Sequence, residues 1–198
     1  MAWWQIRKAE AARGADTLRP HPVYLAMVSD AEAQSRVHCG LGLGLGLGLG
    51  LSSLRFSQAG ELLPGIYRLS FSEFKERFGC SRRRERLLVG LEEVVTILTA
   101  CGCRRLYVGG SMVTEKSNPS DFDAVFDVVG MDLGKLEDID AAMLLRSKAD
   151  LDTLKSRFFG SVEPLRHLPS LGCSMLEVLQ YDSRSGRQKG VVEIVLNS

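Results

Sequence analysis

The sequence predicts an α+β domain, a small mixed sheet with helices packed mainly on one face. Three observations predict it. Apolar residues recur at helical spacing from Leu87 to Leu98. Two apolar strand patterns follow, Leu106 to Val108 and Asp121 to Val128, separated by a Gly-Gly-Ser turn. Near the end, Ser174 to Tyr181 and Gly190 to Leu196 read as two more strands around the Gly-containing loop Asp182 to Gly186.

Along the chain, residues 1–51 read as a low-complexity, disordered extension, and residues 52–198 as the folded domain. Gly40 to Leu51 is a strict Gly-Leu alternation. It is too short and too glycine-rich for a bilayer span, which takes about 20 apolar residues. No strand precedes it and it lacks the Gly-x-Gly-x-x-Gly spacing, so it is not a dinucleotide fingerprint. Met1 to Ala15 has no apolar core of the kind a secretory signal needs. The functional protein is therefore expected to start as late as Met27 or beyond.

Order begins near Leu63. Ser70-Phe71-Ser72-Glu73 reads as a capping box, with Leu69 and Phe74 placed as a hydrophobic staple and Gly79 placed to close a short helix. Leu87, Leu91, Val94, Val95 and Leu98 then share one face of a longer helix that Gly102 should stop. Arg82, Arg83, Arg84 and Arg86 cluster at its start, where positive charge opposes the helix dipole. A phosphate or nucleic-acid contact is one reading of that cluster. A solvated helical turn is preferred, because no aromatic residues interleave with the arginines as a single-strand platform requires. Leu136 to Leu145 and Ala149 to Phe159 are further helix patterns, and Pro164 and Pro169 mark a loop.

The chemistry concentrates between Tyr107 and Asp127. Gly109 and Gly110 let the backbone turn sharply after a buried strand, and Ser111 sits where a helix could begin, facing its hydroxyl and free N–H groups toward an incoming phosphate. Lys116 adds a point charge. On the second strand Phe122, Ala124, Phe126 and Val128 should face a core, with Asp121, Asp123 and Asp127 on the opposite face. Two carboxylates about 6 Å apart at an effective dielectric near 20 repel by about 3 kcal/mol, so the pair Asp121 and Asp123 calls for a cation. Oxygen ligands of this kind suit Mg²⁺ or Mn²⁺ completed by substrate phosphates. Asp127 lies about 13 Å along the strand from Asp123 and is left out of the site.

Gly-Gly-Ser, a spacer of nine residues and Asp-x-Asp inside an apolar strand together resemble the DNA polymerase beta type nucleotidyltransferase superfamily. The fuller string Gly-Ser-Met-Val-Thr-Glu-Lys-Ser-Asn-Pro-Ser-Asp-Phe-Asp is similar to small stand-alone nucleotidyltransferase-like proteins of unassigned function. The resemblance covers about residues 59 to 197. It implies a nucleotidyltransferase-like fold in which Gly110 and Ser111 hold the phosphates of an NTP such as ATP and Asp121 and Asp123 hold Mg²⁺. It also implies a third carboxylate from a later strand. Glu177 is the preferred residue, because its strand precedes the hairpin and its flanks are more apolar, and Glu193 is the rival. Both are glutamates, where active superfamily members most often carry aspartate. The implied activity is transfer of a nucleoside monophosphate to an acceptor hydroxyl. About 70 residues follow Asp127, little room for an acceptor module, so a partner protein is expected to supply the acceptor, as in toxin–antitoxin pairs. The alternative is an eroded fold that acts as a protein-binding module.

Composition sets the surroundings. A 198-residue chain with 45% apolar and 25% charged residues can bury one core. A net charge of +1 gives no global pull toward nucleic acid or an anionic membrane, so neither is expected as a partner. Five cysteines without a secretory signal argue against a disulfide framework and for the reducing cytoplasm. Cys101 and Cys103 have no second Cys or His pair at zinc-site spacing and read as structural. His21, His38 and His167 are given no chemistry.

Overall fold

The computed structural model of the chain describes residues 54–138, 153, 155–183 and 185–196. The expected N-terminal extension, with its Gly-Leu run and the proposed start sites, lies outside them, as do residues 139–145 of the Leu136 to Leu145 helix pattern and residues 149–152 of the Ala149 to Phe159 pattern.

The described chain is a mixed α/β structure built on a five-stranded mixed sheet. Strand β1 (Gly65–Ser70) runs into α1 (Phe71–Phe78), and α2 (Arg82–Ala100) leads to β2 (Arg105–Gly109), a 3₁₀ turn (Gly110–Val113) and β3 (Phe122–Phe126). After α3 (Leu133–Asp138) come β4 (Gly160–Pro164), the short strands β5 (His167–Leu168) and β6 (Cys173–Ser174), α4 (Met175–Leu179), the short strands β7 (Tyr181–Asp182) and β8 (Arg187–Gln188), and β9 (Gly190–Val195). The sheet order is β1-β9-β2-β3-β4. β1 and β9 are parallel, as are β3 and β4, and β2 is antiparallel to both of its neighbours.

Local signals fixed the first helices as expected. Ser70 caps α1 in a full capping box with Glu73, and Gly79 follows the last turn. Ser81 caps α2, Cys101 ends it, and Gly102 takes the left-handed conformation (φ 79°) that a side chain disfavours. Phe74 and Phe78 of α1, the Leu87, Leu91, Val94 and Leu98 stripe of α2 and Leu136 of α3 form one core with Phe122, Ala124, Phe126 and Val128. This is the face expected for the second motif strand. A smaller core on the opposite face joins Tyr107 and Val125 to Val191 and to Met175 and Leu179 of α4.

Two strand expectations are corrected. Residues 174–181 do not form a strand. Ser174 caps α4, its hydroxyl accepting from the Glu177 N–H while the Glu177 carboxylate accepts from the Ser174 N–H and hydroxyl. The alternation of apolar residues there is the buried side of one helical turn, with Met175 and Leu179 four apart. β9 therefore does not pair with that segment but lies between β1 and β2. Conversely, the proline-marked stretch after Phe159 contains β4 rather than only loop. Pro164 is tolerated because β4 is an edge strand, where one missing donor leaves no neighbour unpaired.

Arg84 also departs from expectation. It is 2% exposed, and its guanidinium donates to the carbonyls of Phe78, Met112, Thr114 and Lys116. Burial pulls its pKa below the usual arginine value. Arg84 is thus withdrawn from the expected solvated turn, in which Arg82 and Arg86 remain exposed. Arg83 donates to the Pro119 and Ser120 carbonyls, and Arg86 stacks over the Phe159 ring at 4.8 Å.

Candidate functional site

The antiparallel ladder of β2 and β3 places Gly109 directly opposite Asp123. The chain leaves β2 through Gly110, whose φ of 68° is a conformation glycine adopts without strain. A methyl group on Gly110 would stand 2.5 Å from Asp123 Oδ2. The turn and the acidic doublet therefore meet at one end of the sheet. Ser111, in the 3₁₀ turn, donates to the Asp121 carbonyl at 3.4 Å, the long end of a hydrogen bond. Lys116 is exposed on the spacer.

Each aspartate has partners. Asp123 Oδ1 accepts from the Ser161 hydroxyl at 2.6 Å, and Ser161 is its lateral neighbour on β4. Asp121 accepts from the Ser120 hydroxyl at 2.7 Å and pairs with Lys155 Nζ at 3.2 Å. Lys155 thus brings one positive charge to the doublet, at Asp121. Both members of that pair are partly exposed, 46% for Lys155 and 33% for Asp121, so the bond is screened and exchangeable.

The residues expected for the third carboxylate lie elsewhere. Glu177 is held in the capping box of α4, where the Ser174 backbone and hydroxyl hydrogen bonds keep its carboxyl below the usual range. The strand on which its expected role rested does not exist. Glu193 sits on β9 opposite Tyr107 and pairs with Arg68 at 3.1 Å. Two strand spacings and two residues separate its backbone from that of Asp123, about 12 Å. The carboxylate on the strand beside β3 is Glu163, lateral to Val125 on the Asp123 face and about 8 Å from Asp123 by the same geometry. Its only sequence signal was an isolated Val-Glu pair between two breakers, Gly160 and Pro164. Asp127 pairs with Arg105 at 3.5 Å and takes no part in the doublet.

The site is roofed on one side. Leu179 of α4 packs over Gly109, where a β-carbon would lie 2.7 Å from its side chain. Across the face, Tyr107 is buried beside Glu193, and burial, with that carboxylate second, pushes its phenol upward in pKa.

Asp121 and Asp123 offer carboxylate oxygens, and the Gly109 to Ser111 turn offers backbone and hydroxyl groups. Such a set suits a hard divalent ion that keeps waters and substrate phosphates as its remaining ligands. Among the described residues, no three His, Cys, Asp or Glu side chains converge as a ready-made ion cage. Cys101 and Cys103 are both buried, and burial pushes the Cys103 thiol up to about 11. Among the described residues no helix is long and apolar enough to cross a membrane.

No curated protein and no solved structure matches the chain. Residues 54–195, well over half of the sequence, match a family described as being of unknown function, DUF6932, and the chain belongs to that family.

Proposed function

We propose that the chain is a Mg²⁺- or Mn²⁺-dependent nucleotidyltransferase of the DNA polymerase beta type, in which Gly109, Gly110, Ser111 and Lys116 grip the β and γ phosphates of an NTP such as ATP. The single observation that carries this reading is the approach of Gly110 to Asp123. It supports the reading by bringing the Gly109 to Ser111 turn against Asp123 at one end of the sheet. Asp121 and Asp123 would hold the divalent ions, which when bound would supply positive charge to the triphosphate and to the acceptor oxygen. Glu163 replaces Glu177 and Glu193 as the third acid, because it alone lies on the strand neighbouring β3 on the Asp123 face. The acceptor oxygen bonds to the α-phosphorus as the bond to pyrophosphate breaks, and the acceptor proton passes to a carboxylate of this group. A hydroxyl on a partner protein, as in a toxin–antitoxin pair, is the proposed acceptor.

The test is incubation of the full chain with each α-labelled NTP, Mg²⁺ and native lysate, beside Asp121→Asn/Asp123→Asn. Label transferred to a protein by the wild type alone supports the proposal. Equal silence or equal labelling contradicts it.

A second reading, a binding module with the same fold and an eroded site, is favoured by Lys155. Its ammonium occupies the Asp121 carboxylate that an ion would need. On this reading Mg²⁺ and nucleotide leave the protein's melting temperature unchanged, and a partner protein co-purifies unmodified.

A further inference from the structure

The nine residues between Ser111 and Asp121 contain the end of the 3₁₀ turn and then no helix or strand. Their carbonyls nonetheless have partners, and those partners come from the first turn of α2 and its cap. Ser81 Oγ donates to the Ser117 carbonyl at 3.1 Å. Arg83 Nε donates to the Pro119 carbonyl at 3.0 Å and Nη2 to that of Ser120. Arg84 reaches the carbonyls of Met112 at 2.8 Å, Thr114 at 2.6 Å and Lys116 at 2.7 Å. Six spacer carbonyls are thus held by three side chains that are adjacent or nearly so in sequence.

Arg84 makes this arrangement costly. A guanidinium taken out of water loses hydration that neutral carbonyls replace only in part, and an apolar side chain would fill the same volume without that loss. What an apolar residue cannot do is satisfy three spacer carbonyls at once, and a buried carbonyl without a donor is itself unfavourable. The planar fork fixes the relative positions of Met112, Thr114 and Lys116 in a segment that has no ladder of its own.

Of the proposed site residues, the β2–β3 ladder fixes only Gly109 and Asp123. Ser111, Lys116 and Asp121 lie beyond it, and the shape of the spacer decides where they stand. Resting on the nucleotidyltransferase reading of this site, we infer that Arg83 and Arg84 are positioning residues: they hold the spacer in the shape that brings Ser111, Lys116 and Asp121 to one bound metal–triphosphate. They touch carbonyls and not the ligand. Arg84 sets the half that follows the turn, and Arg83 sets the half that leads into Asp121.

The test uses the full chain as wild type, Arg84→Met, Arg84→Lys and Arg83→Met. Three quantities are measured: melting temperature, amide hydrogen exchange over residues 114–121, and affinity for Mg²⁺ with an ATP analogue bridged by methylene between the α and β phosphates. Arg83 is only half-buried, so its variant keeps the read-out available if Arg84→Met fails to fold. The expected result is faster exchange over the spacer, with affinity about tenfold weaker in Arg84→Met and in Arg83→Met, the scale of one lost charge-assisted hydrogen bond. Arg84→Lys should recover part of the affinity, since three donors remain. Unchanged affinity in both Met variants, with the wild type binding, overturns this inference alone, even if melting temperatures fall. Absence of binding by the wild type overturns the nucleotide reading and the positioning role that rests on it, and the exchange rates then report a hold on the spacer with no ligand to serve.

Discussion

Gly110 lies against Asp123 so closely that a β-carbon on the glycine would stand 2.5 Å from the carboxylate Oδ2. The glycine is also in the left-handed region, φ 68°, so two separate constraints exclude a side chain there. Gly110→Ala is expected to lose about 1–3 kcal/mol of stability from backbone strain and crowding. It should also displace Asp123 and abolish Mg²⁺-dependent nucleotide binding. Chemical denaturation and calorimetric titration check the two effects separately.

Gly90 tests how tightly the segment that enters β4 is seated on α2. Alanine in a helix interior is ordinarily better than glycine by about 1 kcal/mol. Here the added methyl would meet the Phe158 carbonyl oxygen at 1.9 Å. Crowding of that kind costs about 1–3 kcal/mol or more, so it wins over propensity. Gly90→Ala should lower the unfolding midpoint, and a stabilised protein would show that the crossing before β4 is looser than described.

Lys155 competes with any ion for Asp121. Lys155→Met is expected to bind Mn²⁺ about two- to fivefold more tightly, the scale of a partly exposed ion pair. Weaker Mn²⁺ binding, measured by electron paramagnetic resonance, would instead make Lys155 part of the ligand site.

How much could be read from the sequence depended on the range of the interactions. The α1 capping box, the α2 stripe and its glycine stop depend on neighbours within four residues, and each stands where expected. The turn and the Asp-x-Asp strand were legible for the same reason, and only their meeting required the fold. The same Ser-x-x-Glu signature recurs at Ser174 and Glu177, where apolar alternation outweighed it and a helix was read as a strand. β4 was hidden by its own Gly160 and Pro164, which only its edge position makes tolerable. The partners of β9 and the hold of Arg84 on the spacer join segments far apart in sequence, and no local pattern announces them.

Glu177 should therefore behave as a structural acid. Its carboxyl is held low in pKa first by the Ser174 backbone hydrogen bond and then by the Ser174 hydroxyl. A lowered native pKa adds stability above the ordinary glutamate value near about 4.3, and that contribution is lost as pH falls through the native value. Glu177→Gln, which keeps a capping-box acceptor, should remove this acid-limb term and leave nucleotide binding intact. Ser174→Ala should cost about 0.5–2 kcal/mol. Loss of nucleotide binding in Glu177→Gln at an unchanged melting temperature would return Glu177 to the active site.

The thiols provide a check on packing. Cys80 is exposed, whereas Cys101 and Cys103 are buried and the Cys103 thiol is pushed up to about 11. At pH 8, peptide mapping after treatment with an aromatic disulfide should find Cys80 labelled, and Cys101 and Cys103 labelled only after denaturant is added.

The most direct measurement of the central claim is equilibrium binding of the methylene-bridged ATP analogue to wild type and to Asp123→Asn, each with Mn²⁺ and with chelator. Binding that requires both Mn²⁺ and the Asp123 carboxylate is the predicted result. Binding indifferent to the ion and to the substitution, or absent from the wild type, would contradict it.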